Sequence, residues 1–265
     1  MDLGLRGKTA LVAAASKGLG KGVALALARE GATVVMFSRD KAGIEDAAND
    51  VATAVTDNAG VIGLAADVTV LADLERVVNL AIERFHSVDV LFNNAGGPKP
   101  GMFDSLTDDD WQHAFELNLM SAVRLTRLCL PHMRTKRWGR IITSTSSSVK
   151  QPLPTLMLSN AVRSATTAWS KTLADQVAQD GITVNCLAPG RIATERIRQI
   201  DTDVAERQGR SLDDVTRDSL ANIPLHRYGD PAEFGVAAAF LASEPAAYIT
   251  GVTLLVDGGQ FRGTY

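Results

Sequence analysis

Residues 8–28 read KTALVAAASKGLGKGVALALA, a short apolar run that leads through a glycine-containing turn into a second apolar run. This order predicts a buried strand from Lys8 to Ala14, a turn over Ala14–Gly20 and a helix that continues through Ala28. Glycines in such a turn let the backbone approach a pyrophosphate, and the free amides at the start of a helix favour its charge. A turn of this kind is also often only structural, so it is weak evidence for a ligand by itself.

Further along the chain, short apolar runs alternate with longer stretches of helical periodicity. Together with the first run they predict seven strands: Lys8–Ala14, Thr33–Phe37, Val61–Ala65, Val88–Phe92, Arg140–Thr143, Ile182–Leu187 and Thr253–Val256. Nearly continuous apolar strands that alternate with helices predict an α/β fold, a doubly wound parallel sheet of about seven strands with helices on both faces. Ligands of such a sheet bind beyond the carboxyl ends of its strands.

The composition favours one globular domain over residues 1–265, because 46% of the residues are hydrophobic and 22% are charged. The net charge of −3 and the scattered basic residues argue against a nucleic-acid partner. The chain start lacks a signal-peptide pattern, and no apolar run approaches the roughly 20 residues that span a bilayer, so we expect a cytoplasmic protein with no membrane partner. Cys129 and Cys186 lie far apart in apolar segments, which favours buried free thiols over a disulfide or a metal site.

A polar, charged segment from about residue 194 to residue 227 interrupts the alternation of strands and helices. We interpret this segment as a mobile lid over a substrate, and a plain surface insertion is nearly as good an interpretation. Its basic residues, among them Arg196, Arg198 and Arg210, are interspersed with acidic ones. That mixture is more typical of a solvated helical face than of a site for an anionic substrate.

Two basic residues stand close to the ends of the first two predicted strands. Lys17 lies in the glycine-containing turn, and Arg39 follows Ser38 at the end of the second strand. A guanidinium and an ammonium group on the same side of a sheet can neutralise and hydrogen-bond an adenosine 2′-phosphate. The pair therefore favours NADP(H) over NAD(H), and the alternative is that both are solvated surface cations.

More motifs follow at later strand ends and in one helix. They are Asp67-Val68, Asn93-Asn94-Ala95-Gly96, Asn118, Pro189-Gly190-Arg191-Ile192-Ala193-Thr194 and Asp257-Gly258-Gly259. Each alone could be turn chemistry, because Asn, Asp, Gly and Pro punctuate loops for backbone reasons. In this order, over essentially the whole chain, they resemble the short-chain dehydrogenase/reductase family and especially its 3-oxoacyl-carrier-protein reductases.

The resemblance implies a Rossmann-like dinucleotide-binding domain in which loops at the strand ends hold the cofactor. It places Asp67 and Val68 at the adenine and the loop from Pro189 to Thr194 at the nicotinamide carboxamide. The implied cofactor-binding residues are Ala14, Ser16, Lys17, Gly18, Leu19, Gly20, Ser38, Arg39, Asp67, Val68, Asn94, Ala95, Gly96, Arg163, Pro189, Gly190, Ile192 and Thr194.

The glycine-containing turn departs from the family pattern Thr-Gly-x-x-x-Gly-x-Gly. Ala13 and Ala14 replace the first Thr and Gly, while Gly18 and Gly20 remain. An alanine amide can still donate a hydrogen bond, so binding survives if position 14 keeps a negative φ. A positive φ would strain an alanine there.

A second departure concerns the family's Tyr-x-x-x-Lys motif. Counting thirteen positions from Ser146, or back from the run Ala168–Ala174, places Ser159 at the Tyr position and Arg163 at the Lys position. None of the three tyrosines, at positions 228, 248 and 265, has a lysine four residues later. The resemblance therefore implies a catalytic set of Asn118, Ser146, Ser159 and Arg163 that lacks the family's acid.

The remaining groups still support chemistry. Ser146 can bind a carbonyl oxygen, and Arg163 can contact the ribose and supply positive charge, but neither Arg163 nor Ser159 is a useful acid at neutral pH. Loss of a general acid costs about 10² to 10⁴ in rate. The predicted function is an NADP(H)-dependent oxidoreductase that transfers hydride between the nicotinamide and a small carbonyl, enone or related substrate. The proton would come from water or a neighbouring side chain. Lys99 and Lys150 are candidates, although an exposed loop lysine is the favoured interpretation of each.

Two other classes of function stay open at this point. The fold could bind NADP(H) without turnover, as a sensor or a non-catalytic subunit. The same pocket could instead serve a non-redox isomerase or lyase through an enolate stabilised by Arg163. In each case the resemblance implies a small-molecule ligand and a homo-oligomer, a dimer or tetramer, formed through helices near Trp111–Met133 and Ser159–Gln179 and through the C-terminal segment.

Overall fold

The core of the computed structural model, which describes residues 2–55 and 60–264, is a parallel sheet with strand order β3-β2-β1-β4-β5-β6-β7. Its strands are β1 Thr9–Ala13, β2 Thr33–Ser38, β3 Val61–Ala65, β4 Val90–Asn93, β5 Gly139–Ser144, β6 Ile182–Pro189 and β7 Thr253–Val256. The prediction of seven parallel strands is confirmed, with ends that shift by no more than two residues. Tyr265 lies outside the described residues.

Helices cover both faces of this sheet, as predicted. They are α1 Gly18–Arg29, α2 Lys41–Thr53, α3 Leu71–Phe85, α4 Asp108–Phe115, α5 Ser121–Lys136, α6 Met157–Val177, α7 Glu195–Gln208, α8 Leu212–Ala221 and α9 Pro231–Ala242. The buried residues of α1, α2 and α9 form one core, and those of α3, α5 and α6 form the other. None of these helices, in the part of the chain that the structure covers, is long and apolar enough to cross a membrane.

The strands are apolar throughout because each side of every central strand meets a core. In β2, Val34 and Met36 belong to the core under α1 and α9, while Val35 and Phe37 belong to the core under α3 and α5. All four side chains have no exposed surface. Alternate residues of a strand point to opposite faces, so a sheet covered on both sides requires a continuous apolar run.

Residues 194–227, the predicted lid, contain α7 and α8, and α7 is bound to the residues that flank the segment. Asp201 of α7 is 2% exposed and accepts hydrogen bonds from Arg191 and, at 2.7 Å, from the hydroxyl of Tyr228. Burial and the hydrogen bond to Asp201 raise the pKa of Tyr228. This network ties α7 to the loops on either side of the segment, and the role of the segment as a lid stays a prediction.

Ala14 adopts the left-handed conformation, with φ of 49°, which is the strained one of the two conformations considered for this position. The turn between β1 and α1 requires this geometry, because the Ala14 carbonyl packs against Gly20 and accepts a hydrogen bond from Asn94 at 3.4 Å. A Cβ on Gly20 would lie 2.4 Å from the Ala14 oxygen, so the glycine at position 20 is a packing requirement. The left-handed conformation costs an alanine about 1 to 2 kcal/mol.

Replacing Ala14 with glycine is expected to raise the free energy of unfolding by up to about 1 kcal/mol. The substitution relieves the strain of the left-handed conformation, and the greater freedom of glycine in the unfolded chain offsets part of that gain. Urea denaturation measures the change. The matched control is Ala13→Gly, in strand β1 and fully buried, which is expected to lower the free energy of unfolding by about 1 kcal/mol or more. Equal losses in both variants would contradict this account.

Candidate active site

A cleft of about 1460 Å³ lies beyond the carboxyl ends of the strands. Its walls are the loops that follow β1 to β6, together with residues of α6, α7 and α8. Pockets for small ligands usually measure about 300 to 1,000 Å³. The cleft therefore has room for a dinucleotide and a second small molecule.

The cleft brings together nearly all the residues predicted for the site. Its lining includes Ala14, Ser16, Lys17, Gly18, Leu19, Ser38, Arg39, Asp67, Val68, Asn94, Ala95, Gly96, Ser146, Ser159, Arg163, Pro189, Gly190, Ile192 and Thr194. Gly20 lies behind the turn against the Ala14 carbonyl, and Asn118 lines a smaller cavity next to the cleft. The structure thus collects these residues from six loops, and their individual roles stay predictions.

The amino end of α1 faces the cleft. Lys17 precedes this helix, and no side chain caps its first amides. A helix start leaves several backbone amides without partners inside the helix, and together with the helix dipole they suit a phosphate. Lys17, Gly18 and Leu19 all line the cleft at this point.

The two predicted phosphate-binding cations lie at the rim of the cleft beside carboxylates. Arg39 is largely exposed, with its Nε 4.0 Å from a carboxylate oxygen of Asp67. Lys17 forms an ion pair with Glu195 in the first turn of α7, and this pair lowers the pKa of Glu195. Both residues of that pair are exposed, so solvent screens the pair and it contributes little to stability. A phosphate can therefore compete for either cation.

The loop after β3 is held by a residue that the sequence analysis did not single out. The amide of Asp67 donates to the carboxylate of Asp73 at 2.8 Å, and the hydroxyl of Thr69 donates to the carboxylate of Asp67 at 2.7 Å. The bond from Asp67, followed by that from Arg76, lowers the pKa of Asp73. The available signal was an acidic residue in the first turn of α3, where a carboxylate can bind free amides.

Asn118 lies in a π-helical turn, Glu116–Met120, between α4 and α5. Such turns are frequent at functional sites. The side-chain amide of Asn118 donates to the Gly96 carbonyl at 3.0 Å. The backbone carbonyl of Asn118 accepts a hydrogen bond from the hydroxyl of Thr166 of α6 at 3.1 Å. Asn118 therefore ties the loop after β4 to the helix that carries Ser159 and Arg163.

A small polar cavity separates Asn118 from Arg163. Its volume is about 10 Å³, and Asn118, Ser144 and Arg163 are among its lining residues. The buried side-chain oxygen of Asn118 accepts no hydrogen bond from the residues that the structure describes. About one water fits such a volume, and it needs two to four polar partners. Asn118, Ser144 and Arg163 are polar residues in the cavity lining that can serve as these partners.

Arg163 is a buried cation at the centre of the cleft. It is 8% exposed, and its Nη1 donates to the Ser144 carbonyl at 2.9 Å. Burial, and then the charge of Arg196, lower the pKa of Arg163 to about 10. The guanidinium accordingly stays protonated at neutral pH. Within the described chain, no ion pair joins it to a carboxylate.

Ser146 and Ser159 line the same cleft as this cation. Ser146 follows β5 and accepts a hydrogen bond from the amide of Ser148 at 3.1 Å, which holds its hydroxyl at the cleft. Ser159 lies one helical turn before Arg163 on α6 and is 7% exposed. Both hydroxyls can contact a ligand that approaches Arg163.

Neither lysine proposed as a proton donor lines the cleft. Lys99 forms an ion pair with Asp110 at 2.8 Å, which lowers the pKa of Asp110, and Lys150 lies outside the lining. Tyr228 and Tyr248 are also absent from the lining among the described residues. His113 lines the cleft, although the sequence analysis did not name it. No spacing rule singles it out in the sequence, because residues five positions apart, such as His113 and Asn118, do not share a helical face.

Comparison with known proteins agrees with this architecture. A family model described as enoyl-(acyl carrier protein) reductase matches residues 13–260. The 3-oxoacyl-[acyl-carrier-protein] reductase FabG of Vibrio cholerae is 36% identical over 261 residues, which cover 98% of this chain and 99% of that protein. The FabG of Escherichia coli K12 is 37% identical over 263 residues, with coverage of 98% and 99%.

Solved structures give the same result. The chain superimposes on L-sorbose reductase from Gluconobacter frateurii, solved in complex with NADPH and L-sorbose, with a TM-score of 0.93 and 32% identity. The superposition covers 99% of this chain and 100% of that chain. With its seven-stranded parallel sheet, its glycine-containing turn and these matches over nearly its whole length, the chain belongs to the short-chain dehydrogenase/reductase family.

Proposed function

We propose that the protein is an NADP(H)-dependent oxidoreductase that transfers hydride between the nicotinamide and a small carbonyl, enone or related substrate. The observation that carries this proposal is the buried, protonated Arg163, which faces the same cleft as Ser146 and the loops after β1, β4 and β6. A cation in that position stabilises negative charge on a substrate oxygen. The reductase names of the similar proteins support the same class of reaction.

The residues of the cleft fit the cofactor. The uncapped start of α1 suits the pyrophosphate, and the exposed cations Lys17 and Arg39 suit the 2′-phosphate of NADP(H). Asp67 and Val68 would contact the adenine, and the loop from Pro189 to Thr194 would contact the carboxamide. The NADPH in the L-sorbose reductase structure supports this assignment.

The residues around Arg163 define the chemistry. The reduced cofactor, when bound, supplies a hydride with its two electrons and is released as NADP⁺. Ser146 orients the substrate carbonyl, and Arg163 stabilises the negative charge that develops on its oxygen as the hydride arrives. Such fixed charges in a water-poor site often provide the largest catalytic contribution.

The proton has to come from a group other than Arg163, because a guanidinium that gave up its proton would lose the positive charge that stabilises the substrate oxygen. A water between Asn118 and Arg163 is the source that the small cavity supports. A slow proton source matters least where hydride transfer leaves a resonance-stabilised anion. We therefore infer that enones and C=N compounds are better substrates than simple ketones.

We also propose a homo-oligomer, as the family resemblance implies. Apolar side chains are exposed at the C-terminal side of the molecule, on α9 and around β7: Val236, Phe240, Tyr248, Val252 and Leu254. Monomeric proteins rarely leave large apolar patches exposed. Sedimentation of the purified protein is expected to show a dimer or a tetramer, and a monomer at micromolar concentration would overturn this proposal.

NADPH oxidation by a panel of ketones, enones and imines tests the proposed reaction. We expect turnover that is fastest with enones or imines, and a loss of about 10² to 10³ in kcat for Arg163→Ala, because this variant removes the charge that faces the developing oxyanion. NADPH affinity, measured separately by fluorescence, corrects for any contact with the ribose. Arg198→Ala is the control, because Arg198 is exposed on α7 and does not line the cleft.

The other outcomes separate the alternatives. NADPH binding without turnover of any compound would favour a sensor or a non-catalytic subunit. Conversion of a compound without net consumption of NADPH would favour an isomerase or lyase. Undiminished kcat in Arg163→Ala would remove the assigned role of the guanidinium.

Restoring a phenol at position 159 tests whether the missing acid limits the rate. Ser159→Tyr is expected to raise kcat for simple ketones by about 10² or more, because general acid catalysis contributes about 10² to 10⁴. The neighbouring Arg163 favours the phenolate and lowers the pKa of the phenol, so the gain in ketone reduction should disappear at a lower pH than the pKa of a free tyrosine, about 10. Ser159→Phe has almost the same size and no hydroxyl. Equal rates for the Tyr and Phe variants would show that position 159 is not the acid position.

A further inference from the structure

Two guanidinium groups from different elements converge in the cleft. Arg163 comes from α6 and Arg196 from the first turn of α7, and both line the cleft. The arginines nearby are neutralised, since Arg191 pairs with Asp201 and Arg210 pairs with Asp218. Within the described chain, neither Arg163 nor Arg196 has a carboxylate partner. Arg163 and Arg196 are therefore two positive charges of the cleft without a carboxylate counter-ion among the described residues. Arg262, near the C-terminal end, also lines the cleft without one.

The position of Arg196 separates it from the side where the cofactor phosphates belong. Its Nη2 donates to the Pro98 carbonyl at 3.0 Å, just beyond the Asn94–Gly96 turn. Its guanidinium lies so close to Gly97 that a Cβ there would come within 3.1 Å of Nε. Glu195, the preceding residue, points to Lys17 at the phosphate side. The charge of Arg196 is thus available to a second ligand.

We propose that this second ligand is the substrate, and that it carries a carboxylate close to its reacting carbonyl or enone group. Arg196 binds the carboxylate, and Arg163 and Ser146 face the reacting oxygen. This inference rests on the proposed reductase function and names its substrate class. The carboxylate is a spectator: the substrate carbon gains a hydride from NADPH, the oxygen or α carbon gains a proton from water, and NADP⁺ is released.

The electrostatics of the pair agree with this assignment. The charge of Arg196 adds to burial in lowering the pKa of Arg163, which shows that the two cations repel each other in the absence of an anion. A carboxylate between them removes this repulsion. Arg196 is exposed, and its one hydrogen bond within the described part of the chain goes to the Pro98 carbonyl. Most of its five N–H donors are therefore free to bind a carboxylate in the bidentate arrangement that guanidinium groups favour.

A matched pair of enones that differ only in charge tests the proposal: acetylacrylate and its methyl ester. We expect the wild-type protein to oxidise NADPH with a kcat/KM for the acid about 10 to 100 times that for the ester, which is the range for a hydrogen-bonded charge pair. Arg196→Ala is expected to bring this ratio close to one, mainly by raising KM for the acid. Arg196→Lys should restore part of the ratio.

Arg198→Ala is the matched control, since it removes the same charge two positions along the same helix and outside the cleft lining. It is expected to keep the wild-type ratio. An acid-to-ester ratio near one in the wild type, or the same ratio in wild type and Arg196→Ala, would overturn the proposal while leaving the reductase function intact.

If neither compound supports NADPH oxidation, the reductase function fails for this class of substrate. Binding of the carboxylate then tests the anion site separately. Isothermal titration of acetylacrylate into protein loaded with NADP⁺ then provides the readout. Binding that weakens at least tenfold in Arg196→Ala but not in Arg198→Ala would support the proposed carboxylate site. Absence of binding, or equal binding in all variants, would contradict it.

Discussion

The reversal of strand order between β1 and β4 is the constraint on which the site depends. Because β1 lies next to both β2 and β4, the loops that leave β1 and β4 separate and open a crevice at the carboxyl ends of the strands. The side-chain amide of Asn94 spans that point, with the carbonyls of Ala13 and Ala14 at 3.3 and 3.4 Å. The strained turn, the cofactor loops and the buried arginine all take their positions from this junction.

Arg163 shows how a change of residue type can keep a site electrostatically active and still alter its chemistry. A buried cation is costly unless it is hydrogen-bonded or paired. Among the residues that the structure describes, Arg163 has the Ser144 carbonyl as a partner and no carboxylate. An anionic ligand or a developing oxyanion would supply the missing partner. The same charge that makes the empty protein less stable therefore favours the negative charge of a hydride-transfer step.

Much of this architecture could be predicted from the sequence. The strands were found because a sheet covered on both faces requires continuous apolar runs. Their ends shifted by one or two residues, with pairing extended at Ser38 and Pro189 and strands that begin later at Thr9 and Val90. The conformation of Ala14 could not be predicted, because it depends on Gly20 and on Asn94, which is distant in sequence. The ion pair of the exposed Lys99 with Asp110 is likewise recognisable only in three dimensions.

The pairing of the arginines in residues 194–227 could not be predicted from the sequence either. In the sequence, Arg196 and Arg210 look alike, because both stand among acidic residues in a polar segment. In the structure, Arg210 is neutralised by Asp218, whereas Arg196 reaches the loop after β4. The first turn of α7 thus contacts both sides of the cleft, through Glu195 at Lys17 and through Arg196 at Pro98. A phosphate that replaces Glu195 at Lys17 would act on the same helical turn that positions Arg196. The first turn of α7 therefore connects the cofactor side of the cleft to its substrate side.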